Sequence, residues 1–74
     1  MEKVKLFKKI SKRVGMIVFE KESIKMGRII GFEIDESKEN EYSVYYIVKF
    51  QEATHAVVRR VHESNLILMK ETNA

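Results

Sequence analysis

The spacing of apolar residues changes at Gly15. Before it, Val4, Leu6, Phe7, Ile10 and Val14 fall within one arc of roughly 160° on a helical wheel. Lys5, Lys8, Lys9, Lys12 and Arg13 occupy the other side, and only Lys3 breaks the pattern. The pairs Leu6-Phe7 and Lys8-Lys9 rule out a period of two. Residues 1–14 are therefore predicted to form a basic amphipathic helix, with Gly15 as its C-cap.

Beyond Gly15 the chain reads as short strands. "MIVFE" is apolar and rich in β-formers. "MGRIIGFEID" places Ile30, Phe32 and Ile34 on one face and Gly27, Ile29 and Gly31 on the other. "EYSVYYIVKF" alternates Tyr42, Val44, Tyr46, Val48 and Phe50 with a half-exposed face of Ser43, Tyr45, Ile47 and Lys49. "NLILMK" is a short last strand after the turn-like "HESN", and "KES" is a loop between the first two strands. "DESKENE", wholly polar, is the tip of a long hairpin. "QEATHAVVRRVHES" fits either period. Its β-branched Thr54, Val57, Val58 and Val61 tip it toward a strand, and a helix there would change the fold.

A chain of 74 residues has room for one domain and one small core. The expected division is a helix over 1–14, a β-barrel over 15–70 and a tail over 71–74. The absence of Cys removes disulfides and thiolate zinc sites as staples. No apolar run approaches the ~20 residues of a membrane span. The lysine-bearing start also lacks the apolar stretch of a signal peptide. A cytoplasmic location is the expectation. Charge is lopsided: residues 1–13 hold six basic groups and one acid, a net +5, while 14–74 hold eight basic groups and ten acids, a net −2.

A helix followed by about five short strands with internal glycines suggests a small barrel. From Val14 to Met69 the chain resembles the SH3-like barrel superfold, the group of Tudor, KOW, Sm-like and PsaE-like domains. The residues that carry this are "VGMIVF", "MGRIIGFE", "YYIVKF" and "VHESNLILM". The resemblance implies a glycine opening the first strand, another before a bent second strand, and a polar turn, often 3₁₀, into the last. The Sm-like glycine before the final strand is absent and the KOW glycine pattern incomplete, so the superfold is assigned without a family. Superfolds host many unrelated functions.

The candidate chemistry is binding, and an enzyme is not expected. The cationic helix face suits phosphates of RNA or DNA, or an acidic protein surface; alternatively the helix only caps the barrel and its lysines stay solvated. Lys5, Lys8, Lys9, Lys12 and Arg13 are the proposed phosphate contacts, with Arg28 or Arg59 extending the patch. Adjacent Arg59 and Arg60 point to opposite faces of a strand, so one would sit at a rim or reach over the acidic loop. Tyr45, and secondly Tyr42, are candidates for aromatic contact with a base, a peptide or a methylated lysine; an exposed strand Tyr also serves cross-strand packing. Asp35, Glu36, Glu39 and Glu41 do not have EF-hand spacing and read as a solvated tip. His55 and His62, seven apart, would lie on opposite faces of a continuous strand, which argues against a shared metal. Neither a nucleophile elbow, a metalloprotease motif nor a phosphate loop occurs, and no cofactor is implied.

Nucleic-acid binding is the leading expectation. The alternative is a protein-binding adaptor or inhibitor, since a short chain without Cys or Pro and crowded with Lys and Glu resembles bacteriophage or mobile-element products that act on host proteins. Exposed edge strands also allow a small homo-oligomer.

Overall fold

The computed structural model describes residues 2–38 and 41–69. Glu39 of the acidic stretch, Lys70 and the tail over 71–74 lie outside them. Helix α1 (Glu2–Ser11) precedes strands β1 (Ile17–Glu20), β2 (Lys25–Lys38), β3 (Glu41–Gln51), β4 (Ala56–His62) and β5 (Leu66–Leu68). A 3₁₀ turn, Glu63–Asn65, leads into β5. The fold is mainly β: one antiparallel sheet of order β4-β3-β2-β1-β5, with the last strand returning beside the first. The edge strands β4 and β5 are not paired with each other, so the sheet is open rather than closed by backbone hydrogen bonds. The ambiguous segment is strand from Ala56, as its β-branched residues favour. His55 therefore sits in the preceding turn and not on the strand with His62.

One face of the sheet carries the core. Val18, Ile29, Val44, Tyr46, Val48, Phe50, Val61 and Leu66 are buried, together with Ile10 from the helix. Leu6, Met16, Phe32, Ile34 and Leu68 pack against them. The alternation expected for β3 holds from Val44 to Phe50.

In β2 the expected faces are wrong. Ile29 pairs with Val48 and Gly31 with Ile47, so Ile30 is an extra residue in a β-bulge. One inserted residue reverses the phase of a period-two strand. Gly27 and Ile29 consequently point inward before the bulge and Phe32 and Ile34 after it, while Ile30 is exposed. Gly27 meets Phe50 so closely that a Cβ would lie 2.7 Å from Val48 Cγ1 and 2.9 Å from the Lys49 carbonyl oxygen. Only glycine leaves that room.

The helix stops at Ser11, short of the expected residue 14. Arg13 N–H donates to the Ile10 carbonyl (2.9 Å) and Val14 N–H to that of Ser11 (3.3 Å), tightening the chain into turns. Gly15 then takes a φ of +98°, which favours glycine. Its N–H donates to Ile29 C=O at 2.7 Å, and Ile29 N–H returns a bond to Met16 C=O at 2.9 Å. Val14 is thereby pulled off the helical arc and left exposed. Docking uses a narrower seam than the wheel suggests: Ile10 is buried, Leu6 one turn earlier is half-buried, and Phe7 sets its ring edge-on to Phe32 at 5.3 Å. Burying Ile10 contributes roughly 2–3 kcal/mol.

The acidic hairpin is mostly strand. The β2–β3 ladder continues through Asp35↔Ser43 and Glu36↔Tyr42 to Lys38↔Glu41, forming a two-stranded arm.

Candidate binding surfaces of the helix and the sheet

Four of the predicted cations share one surface. Lys5, Lys8, Lys9 and Lys12 are exposed; Lys8 and Lys9 lie three and four residues after Lys5, on the side away from Leu6 and Ile10, and Lys12 follows in the turn after the helix. None of them has an acidic partner among the described residues.

The three arginines are committed elsewhere. Arg13 Nη1 donates to the Tyr46 hydroxyl at 2.8 Å, supplying a hydrogen-bond partner to a buried phenol. Arg28 Nη1 donates to the Gly15 carbonyl at 2.6 Å and so reaches the turn that follows the helix. Arg59 pairs with Glu20 across the inner side of the sheet and lies over the Phe50 ring at 4.7 Å from its centroid. It does not join the helix patch. The carboxylate it meets is only 4 % exposed. Burial alone would raise the pKa of Glu20, but hydrogen bonds from the Ser23 hydroxyl and from Arg59 outweigh it and hold the group below the usual carboxylate range. The sequence gives no hint of this pair, because its members are 39 residues apart.

Arg60, on the opposite face, does reach over acidic residues as its strand position suggests. Its Nε donates to Glu33 at 2.6 Å and its Nη2 to Asp35 at 3.0 Å. The Glu33 hydrogen bond is the main cause that raises its pKa. The same guanidinium covers the face of Tyr45 at 3.6 Å, and His62 meets that ring edge-on at 5.0 Å. Tyr45 is thus already stacked within the chain. Tyr42 is half-buried opposite Glu36.

The histidines act locally. His62 Nδ1 accepts from Ser64 N–H at 3.1 Å and caps the 3₁₀ turn, while His55 Nδ1 lies 3.1 Å from Thr54 Oγ1. Among the described residues no three His, Asp or Glu side chains gather as a metal site, and no helix is long and apolar enough to cross a membrane.

A second surface was not legible in the sequence. On the outer side of the sheet an open depression of about 460 Å³ is lined by Ile17, Met26, Gly27, Arg28, Ile30, Lys49 and Gln51. Lys49 was visible as an outward position of β3, but the bulge that turns Ile30 toward the same side was not. No protein-family model matches the chain, and no curated protein or solved structure does.

Proposed function

We propose that the chain is a non-catalytic module that binds nucleic acid through the lysine face of α1. The observation that carries this reading is the set of Lys5, Lys8 and Lys9 on a helix anchored by Ile10, with Lys12 in the turn that follows, all exposed and without acidic partners among the described residues. Lys5 to Lys9 cover about 6 Å of helix axis, and Lys12 extends the row into the turn that follows. Arg13 and Arg28 flank the turn after the helix and serve as the border of this surface rather than its centre. Arg59 and Tyr45 are left out of the contact, because their own intramolecular partners already occupy them.

The scaffold we propose is an SH3-like barrel left open between β4 and β5. Three features support that reading: β5 lies beside β1, β2 bends at a bulge, and a 3₁₀ turn leads into β5. The Arg59–Glu20 pair links β4 to β1 by side chains where the backbone does not close.

Fluorescence anisotropy with labelled RNA, single-stranded DNA and duplex DNA over a range of salt tests the function. Four lysines on duplex phosphates give a log–log salt slope of about −3.6. Reversing Lys8, Lys9 and Lys12 to Glu should abolish binding without unfolding the chain. A salt-independent affinity, or one unchanged by the triple reversal, overturns the proposal.

A further inference from the structure

We infer that the outer face of the sheet, over β1, β2 and β3, is a docking site for an acidic, apolar segment of a partner protein. This surface meets the lysine surface only at Arg28 and does not depend on it.

The composition of the depression points to such a ligand. Its floor is apolar, from Ile17, Met26 and Ile30, and its only charged lining residues are the cations Arg28 and Lys49. These two stand directly opposite each other on β2 and β3. Like charges at directly opposed positions destabilise a sheet, their Cβ atoms being only about 5 Å apart. An ordinary outer face would place an acid at one of them, as the upper part of this same sheet does with Arg60, Glu33 and Asp35. Here Lys49 has no acidic partner among the described residues, and Arg28 donates only to a carbonyl. A carboxylate from outside satisfies both.

The apolar surface is wider than the depression. Ile67, Phe19 and Met26 form one cross-strand row over β5, β1 and β2, and Val58 flanks Lys49 on β4. Met26, Val58, Ile67 and Ile30 are each about half exposed. Together they leave apolar area on the order of 400 Å², the size at which the largest patch of a monomer is often functional. That is about half of what each partner of a stable complex buries, so the occupant is a short segment held with modest affinity. A second copy of the chain is disfavoured for a further reason. A two-fold pairing of this face would set Arg28 and Lys49 of one copy against those of the other.

The test uses the full chain labelled with ¹⁵N and a panel of short peptides that intersperse Leu or Phe among Asp and Glu. A matched panel carries Lys in place of the acids. Binding of the acidic peptides should shift the amide signals of Ile17, Met26, Arg28, Ile30, Lys49 and Gln51, and the Lys panel should not. Lys49→Glu, and separately Ile30→Asp, should weaken binding on the order of tenfold while leaving the rest of the spectrum folded. Reversal of the helix lysines should leave peptide binding unchanged, which keeps this outcome apart from that of the nucleic-acid reading. The inference is overturned if no acidic peptide moves these signals or if the Lys panel moves them equally. It also fails if oligonucleotides move the signals of Ile30, Lys49 and Gln51, which lie beyond the Arg28 border of the lysine surface, or if these signals move with protein concentration alone, which would mean a second copy.

Discussion

Arg59→Ala separates a structural arginine from a binding one. In the native chain Glu20 is nearly buried and receives hydrogen bonds from Arg59 and from the Ser23 hydroxyl. Hydrogen bonds to charged groups contribute about 1.5–3 kcal/mol, and removing one partner of a buried ion pair costs more because the other charge is stranded. Arg59 is itself nearly half exposed, so part of its charge is screened by water, and Ser23 stays in place. The expected loss at pH 7 is therefore about 2 kcal/mol. With a urea m-value near 1 kcal/mol/M for a chain this small, the midpoint falls by about 2 M. The pH dependence carries the stronger test. Glu20 has a folded pKa below its ordinary value of 4.5, so its contribution is present above that value and fades as pH falls through the folded pKa. Urea midpoints of native chain and variant should therefore converge in acid as Glu20 is protonated in both states. Adding Glu20→Gln to Arg59→Ala should recover part of the loss at pH 7, since no buried charge then remains. Equal midpoints at pH 7, or a gap that does not narrow in acid, would refute the assignment.

Four further substitutions probe the fold at single points. Gly27→Ala drives a Cβ against the Lys49 carbonyl oxygen and the Val48 and Phe50 side chains; a loss of about 1–3 kcal/mol by urea denaturation is expected, and a neutral result would mean the strands separate there easily. Ile24 has a φ of 56° and is 70 % exposed, a conformation costly for a β-branched residue. Ile24→Asn should accordingly raise stability by about 1 kcal/mol in thermal unfolding, and a decrease would show that its side chain packs. Ile10→Ala should cost about 3 kcal/mol in urea denaturation and Phe7→Ala no more than about 1 kcal/mol, because the first leaves a cavity and the second loses an edge contact at the surface. Comparable losses at both positions would mean that the whole apolar arc docks.

Local pattern was enough to read most of the element types, though not the strand character of the acidic hairpin. The period of 3.6 before Gly15, the alternation from Tyr42 to Phe50, and the β-branched residues after Ala56 each reflect which side of a short segment meets the core. Such a signal is written within the segment itself. Gly15 does mark a change of direction, but four residues past the end of the helix and not as its C-cap.

Tertiary structure decided what depends on distant partners. The bulge at Ile30 is invisible in β2 alone, because it exists only as one residue too many against β3. It reverses the outward face and helps to create the apolar depression. Nor does composition say which cations are free. Arg13, Arg28 and Arg59 look like the helix lysines in a charge count, yet each is drawn to an oxygen that folding brings to it: the Tyr46 hydroxyl, the Gly15 carbonyl and the Glu20 carboxylate. Arg60 was half legible, since strand alternation put it opposite Arg59, but its carboxylates and the Tyr45 ring come from neighbouring strands. Sequence therefore determined where the charge lies and what most segments become. The fold decided which charges remain available, because burial and pairing are set by neighbours that are close in space and far along the chain.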